Sequence, residues 1–84
     1  MAREKKTTGP CLAKHVESSL ETYFEQLNGH KPAHLYEVVI GEIERPLLSV
    51  VMAHTDGNLT RAAEYLGMNR ATLRKKLAKH GIEP

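Results

Sequence analysis

The chain has 84 residues, of which 26% are charged, with no Trp, one Phe and three Tyr; this suffices for one small domain, and so few aromatic residues disfavour a sandwich or barrel. A single cysteine, Cys11, excludes an internal disulfide and a cysteine-based zinc cluster, and no role is assigned to it. The net charge of +2 hides a polarity, since residues 1–15 sum to +3, residues 16–57 to −5 and residues 58–84 to +4, as in an acidic body whose basic end meets a polyanion.

"MAREKKTTGP" is polar and basic and closes on Gly9-Pro10, so residues 1–10 are predicted to form a disordered arm. It lacks the apolar core of a signal segment. The longest apolar stretch, Leu47 to Ala53, is interrupted by Ser49 and is too short to span a bilayer, so a cytoplasmic protein is expected. From Leu12 the apolar residues Val16, Leu20, Tyr23, Phe24 and Leu27 recur every three or four positions beside Glu17, Glu21 and Glu25. That spacing predicts an amphipathic first helix, closed at Asn28-Gly29.

After the turn "NGHKPAH", twelve of the twenty-one residues from Leu35 to Thr55 are Leu, Val, Ile, Met, Ala or Tyr. One buried face uses about three positions in seven, or about nine in twenty-one. The surplus predicts a second helix with two apolar faces, one for its own subunit and one for a second copy, formed by Tyr36, Val39, Ile40, Ile43, Leu47, Leu48 and Val51. Pro46 removes one backbone donor from this helix, and a kink near Glu42 to Arg45 is expected. Asp56-Gly57 ends it, so residues 11–56 are predicted to be a dimerisation core and residues 57–84 a separate C-terminal unit.

That unit reads as two short helices, Leu59 to Leu66 behind the cap Asn58, and Arg70 to His80 behind the cap Asn69. Gly67 supplies the turn, Ala62 and Ala63 allow close approach, and Leu66, Met68 and Leu73 lie between the helices. This is the pattern of a helix-turn-helix. In the last helix Leu73, Leu77 and His80 fall within about 60° of one another and are predicted to face inward. Arg70, Arg74, Lys75, Lys76 and Lys79 have no acidic residue among them between Arg70 and His80. A merely solvated face would use pairs of opposite charge four residues apart, so double-stranded DNA is the expected partner.

Side-chain chemistry then assigns roles. Arg70 is suited to fork onto the O6/N7 edge of a guanine, with Asn69 and Lys75 near other bases. Thr72, Arg74, Lys76 and Lys79 lie where phosphates would pass, and Asn58, Thr60 and Arg61 open the preceding helix towards the other strand. Capping alone also accounts for Asn58 and Asn69 and similarly for Thr60, and an ordinary solvated charge accounts equally well for Arg61 and Lys79.

Taken together, "YFEQLNG", "LYEVVIGEIERPLL", "GNLTRAAEYLGMNRATLRKKL" and "HGI" resemble the Fis family (factor for inversion stimulation) of bacterial nucleoid-associated proteins. The likeness is nearly continuous from Leu12 to Ile82. "GMNRATLRKKL" is also similar to the C-terminal DNA-binding domains of nitrogen-regulator activators, but an 84-residue chain has no room for the large ATPase that precedes those domains. The resemblance implies an all-α fold of four helices per chain and an intertwined homodimer presenting two helix-turn-helix units. It implies binding and bending of degenerate DNA sites with an A/T-rich centre flanked by G and C, in transcription regulation and chromosome organisation on the nucleoid. Carried over by residue, it implies base contacts from Asn69, Arg70 and Lys75 and phosphate contacts from Asn58, Thr60, Thr72, Arg74 and Lys76. Leu59 and Ala78 stand where related proteins often have polar or basic residues. The family's best-studied members carry a β-hairpin arm that touches a DNA invertase; here only ten residues, most of them polar, precede Cys11, so contact with a recombinase is not expected.

No enzyme and no cofactor are expected, because no catalytic or metal-binding cluster stands out. His30 and His34 are four residues apart, but Pro32 lies between them and no third ligand is near. His15, His54 and His80 read as surface or packing residues. The alternative to DNA binding is an adaptor that engages a foreign protein through the apolar second helix.

Overall fold

The computed structural model describes residues 9–84. It has four α-helices, α1 (Gly9–Gln26), α2 (Leu35–His54), α3 (Leu59–Leu66) and α4 (Arg70–His80). The helices follow in the expected order, and residues 1–8 of the predicted arm lie outside the described residues. Gly9 and Pro10 already belong to α1, earlier than expected, as a proline lacking its N–H is tolerated in a first helical turn.

The chain divides into two compact units after Ala33. In the first, α1 leaves Leu12 and Phe24 exposed while Val16, Leu20, Tyr23 and Leu27 are half-buried. Tyr23 and Phe24 meet edge to face, with ring centroids 6.0 Å apart. The helix ends as Asn28 and Gly29 turn to positive φ.

The second unit, His34–Pro84, holds the core. Leu48 and Met52 of α2, Ala62 and Ala63 of α3, and Leu73 and Leu77 of α4 are buried together, with Val51, Leu59, Leu66, Met68 and Ile82 packed around them. Helix α2 shares one core with the two helices that follow it. The alanines of α3 matter because only a methyl group separates its backbone from the neighbouring helices. Thr55, 1% exposed, ends α2 with its hydroxyl 3.0 Å from the Val51 carbonyl oxygen and 3.3 Å from that of Met52, so its burial leaves no polar atom unpaired.

Helix α2 runs unbroken through Pro46. Its surface differs from expectation in which residues belong to each face. Leu48, predicted to meet a second copy, is 0% exposed within its own chain, because it lies on the face turned to α3 and α4; it is a core residue. Tyr36, Ile40 and Leu47 are exposed, Val39, Ile43 and Val51 are half-buried, and Val51 packs on the core. Val38 and Val50, absent from the predicted interface, are exposed as well.

Two glycines set the turns. Gly67 (φ 75°) and Gly81 (φ 68°) end α3 and α4 in the left-handed region, where a side chain would be strained. The amides of Met68 and Ile82 then return to the carbonyls of Ala63 and Leu77 at 3.0 and 2.9 Å, which folds both apolar side chains back onto the core.

Candidate nucleic-acid interface

Asn58 and Asn69 open the two helices as predicted. The Asn58 carbonyl Oδ1 accepts from the Arg61 amide at 3.0 Å and the Asn69 Oδ1 from the Thr72 amide at 2.8 Å. Each cap satisfies one of the free amides of a helix start. It also narrows what the side chain offers a ligand. With Oδ1 directed into the helix, the amide NH2 is the group that faces outward, so Asn69 is a donor suited to base acceptors such as N7, O6 or O4.

Arg70 follows at the first position of α4. It is exposed, and its Nη1 lies 3.5 Å from the Thr60 hydroxyl, which brings two predicted site residues from different helices together. Arg70, Ala71 and Arg74 line an open concavity on this side of α4. The small Ala71 between two guanidinium groups leaves the helix backbone accessible to a rigid ligand. Lys75 and Lys79 are also exposed, the latter in the last turn, where a cation complements the negative end of the helix dipole. Thr72 is half-buried and contributes its backbone amide to the Asn69 cap.

Arg61 on α3 is oriented by Tyr65: its Nη2 donates to the phenol oxygen at 3.2 Å and its guanidinium carbon lies 5.9 Å from the ring centroid. A guanidinium held this way stays exposed and directional. Leu59 is half-buried on the core and Ala78 is exposed.

Lys76 differs from its neighbours. It is predicted to face a phosphate, yet its Nζ sits 2.8 Å from Oε2 of Glu44, on α2. The other carboxylate oxygen of Glu44 accepts from Nε2 of His80 at 2.9 Å, which fixes the proton on that ring nitrogen. The side chains of Glu44 and His80 are 14% and 9% exposed. The hydrogen bond from Lys76, and after it that from His80, holds the Glu44 carboxyl below the usual glutamate range. Next to Glu44 in the chain, Arg45 donates from Nη1 to the His80 carbonyl oxygen at 2.8 Å, closing the C-terminal end of α4.

Nothing local in α4 announces this cluster. The available signal lay in α2, where Glu44 precedes the core residues Leu48 and Met52 by one and two helical turns: an acid on a buried stripe requires a cation from a neighbouring element. Among the described residues no group of His, Cys, Asp and Glu is arranged to hold a metal ion, and no helix is long and apolar enough to cross a membrane.

Two short capped helices around a glycine turn, with a basic exposed face on the second, define a helix-turn-helix protein. A family model described as bacterial regulatory protein, Fis family, matches residues 39–80. The chain is 55% identical over 71 residues to the DNA-binding protein Fis of Mannheimia haemolytica, covering 84% of this chain and 72% of that one. It is 49% identical over 79 residues to the DNA-binding protein Fis of Proteus mirabilis, covering 94% and 81%. It belongs to the Fis family, a family of regulators and not of enzymes.

Proposed function

We propose that this chain binds double-stranded DNA as a homodimer, bends it, and acts in transcription regulation and chromosome organisation on the bacterial nucleoid. The observation that carries this reading is the exposed face of α4, where Arg70 and Arg74 flank Ala71 around an open concavity. In it Arg70 reads a guanine, the Asn69 amide and Lys75 donate to neighbouring bases, and Arg74, Lys79, Arg61, Thr72, Thr60 and Asn58 hold phosphates. Bending is cheapest where the centre of the site is A/T-rich and its minor groove narrows readily, which gives preference at positions the protein does not touch.

The second copy docks on α2. Tyr36, Ile40, Ile43, Leu47 and Val50 recur at alternating steps of four and three, the repeat of a helix seam. Tyr36, Ile40, Leu47 and Val50 are exposed in the single chain, an apolar row that a partner helix would cover.

The test is fluorescence anisotropy of an A/T-centred, G/C-flanked duplex against a scrambled one over a salt series, with wild type and Arg70→Ala. Arg61, Arg74 and Lys79 from two chains neutralise six phosphates, so log K against log salt should fall with a slope of about −5. Arg70→Ala should lose about 1–3 kcal/mol of preference for the flanked duplex. A wild-type protein that binds no duplex at low salt would sink the reading.

A further inference from the structure

Six basic side chains occupy residues 58–84, and all but one reach outward. Lys76 is the exception, drawn to the α2 carboxylate of Glu44 at 2.8 Å and only 35% exposed. We infer that Glu44 is a positioning residue for DNA binding: it withholds Lys76 from the duplex while fixing the recognition helix against α2, and so sets how many phosphates the unit neutralises. This rests on the DNA reading above.

Three features of the geometry support it. Glu44 uses both oxygens, one for Lys76 and one for His80, residues one turn apart on α4, so the carboxylate clamps the helix and does not merely touch a side chain. Arg45 adds a third tie at the His80 carbonyl, which keeps the C-terminal half of α4 in place independently of DNA. Glu44 is itself 14% exposed, so the charge of Lys76 is met by a carboxylate that water screens poorly, and pulling the ammonium away would leave that carboxylate short of a partner. A phosphate competing for Lys76 has to overcome this loss. Arg74 and Lys75, the residues before it, have no such acid partner among the described residues.

By sequence, α4 carries five cations and no acid. Tertiary structure returns one acid to that face, from a residue thirty-two positions earlier. The consequence is a basic surface smaller than the sequence suggests, made on α4 by Arg70, Arg74, Lys75 and Lys79.

The experiment is the cycle of wild type, Lys76→Gln, Glu44→Gln and the double variant, each titrated onto one duplex over a salt series, with circular dichroism confirming helicity. Lys76→Gln should leave the wild-type slope unchanged. Glu44→Gln should release Lys76 and steepen the slope by about 2 for the dimer, so that its affinity gains about 12-fold more than that of wild type when salt falls from about 200 to about 50 mM. The double variant should return to the wild-type slope, an outcome that a purely structural role for Glu44 does not produce. A shallower slope for Lys76→Gln alone, by about 2, would show Lys76 on a phosphate and overturn the inference; an unchanged slope for a folded Glu44→Gln would do the same. Should Glu44→Gln fail to fold, Lys76→Gln decides the matter. Absence of any duplex binding by wild type overturns the DNA reading instead.

Discussion

Asn69 carries two assignments, a helix cap seen in the structure and a base contact proposed from it, and two substitutions separate them. Asn69→Asp keeps an oxygen where Oδ1 accepts from the Thr72 amide at 2.8 Å, and adds a negative charge at the positive end of α4. The cap should survive and the dipole interaction should contribute about 0.3–1 kcal/mol in favour of the fold. The outward NH2, however, becomes an acceptor carrying charge, facing base acceptors and phosphates, so duplex affinity should fall by at least the tenfold that about 1.4 kcal/mol represents. Asn69→Ala removes cap and donor together. It should cost about 1 kcal/mol of stability, and for a domain of this size about 4–8 °C in Tm, as well as affinity. The assays are thermal melting at one fixed protein concentration, since a dimer melts at a temperature that depends on concentration, and anisotropy titration at fixed salt. An Asn69→Asp protein that binds DNA as wild type does would refute the contact and leave Asn69 as a cap alone. An Asn69→Ala protein that melts as wild type does would refute the energetic weight given to the cap.

Neighbouring leucines in α2 should respond differently. Leu48→Ala empties part of a core in which Leu48 is 0% exposed and should destabilise by about 2–5 kcal/mol in urea titration; a loss below about 1 kcal/mol would contradict its place there. Leu47→Lys, at a position 47% exposed, should leave the core intact and shift sedimentation equilibrium towards monomer, and a dimer as tight as wild type would remove Leu47 from the proposed seam. Acid should act through Glu44. Its carboxyl binds a proton less readily in the fold than in the unfolded chain because Lys76, then His80, hydrogen-bonds to it. It therefore contributes stability at neutral pH that fades as the pH drops below the ordinary glutamate range and is gone once it falls through the depressed folded value. The stability gap between wild type and Glu44→Gln should shrink over that acid range, and a gap that stays constant from neutral pH down to about pH 3 would rule out this linkage.

The helix-turn-helix was legible because its signals are local. Caps at Asn58 and Asn69, glycine at 67 and the inward Leu73 and Leu77 each follow from residues within a few positions of one another, and each stands in the structure as read. The start of α1 is less legible, because Gly9-Pro10 reads as a break in the sequence while a proline in the first turn is compatible with a helix. The two faces of α2 were legible in number but not in membership. Counting apolar residues gives the width of the apolar surface; deciding that Leu48 turns inward and Val50 outward requires knowing which stripe α3 and α4 cover. The pair between Glu44 and Lys76 was hidden for the same reason, because charge patterns within one helix carry no information about an acid delivered by another.

These points meet in α2. At 100° per residue the row Tyr36, Ile40, Ile43, Leu47 and Val50 and the core row Leu48, Val51 and Met52 are centred about 110° apart on one helix. Glu44, four residues before Leu48, projects about 30° from the core row's centre, on the seam side. The same element thus carries the proposed dimer seam, two of the six buried residues in the core of the helix-turn-helix unit and the carboxylate that holds α4. A partner copy seated on the seam would fix the roll of α2, and with it the orientation in which α4 is presented, because Leu48 and Met52 are locked into α3 and α4 by close packing. Dimerisation and the aim of the recognition helix are then not separable properties of this fold, and a substitution that rotates α2 should disturb both even when it touches neither DNA nor the other subunit.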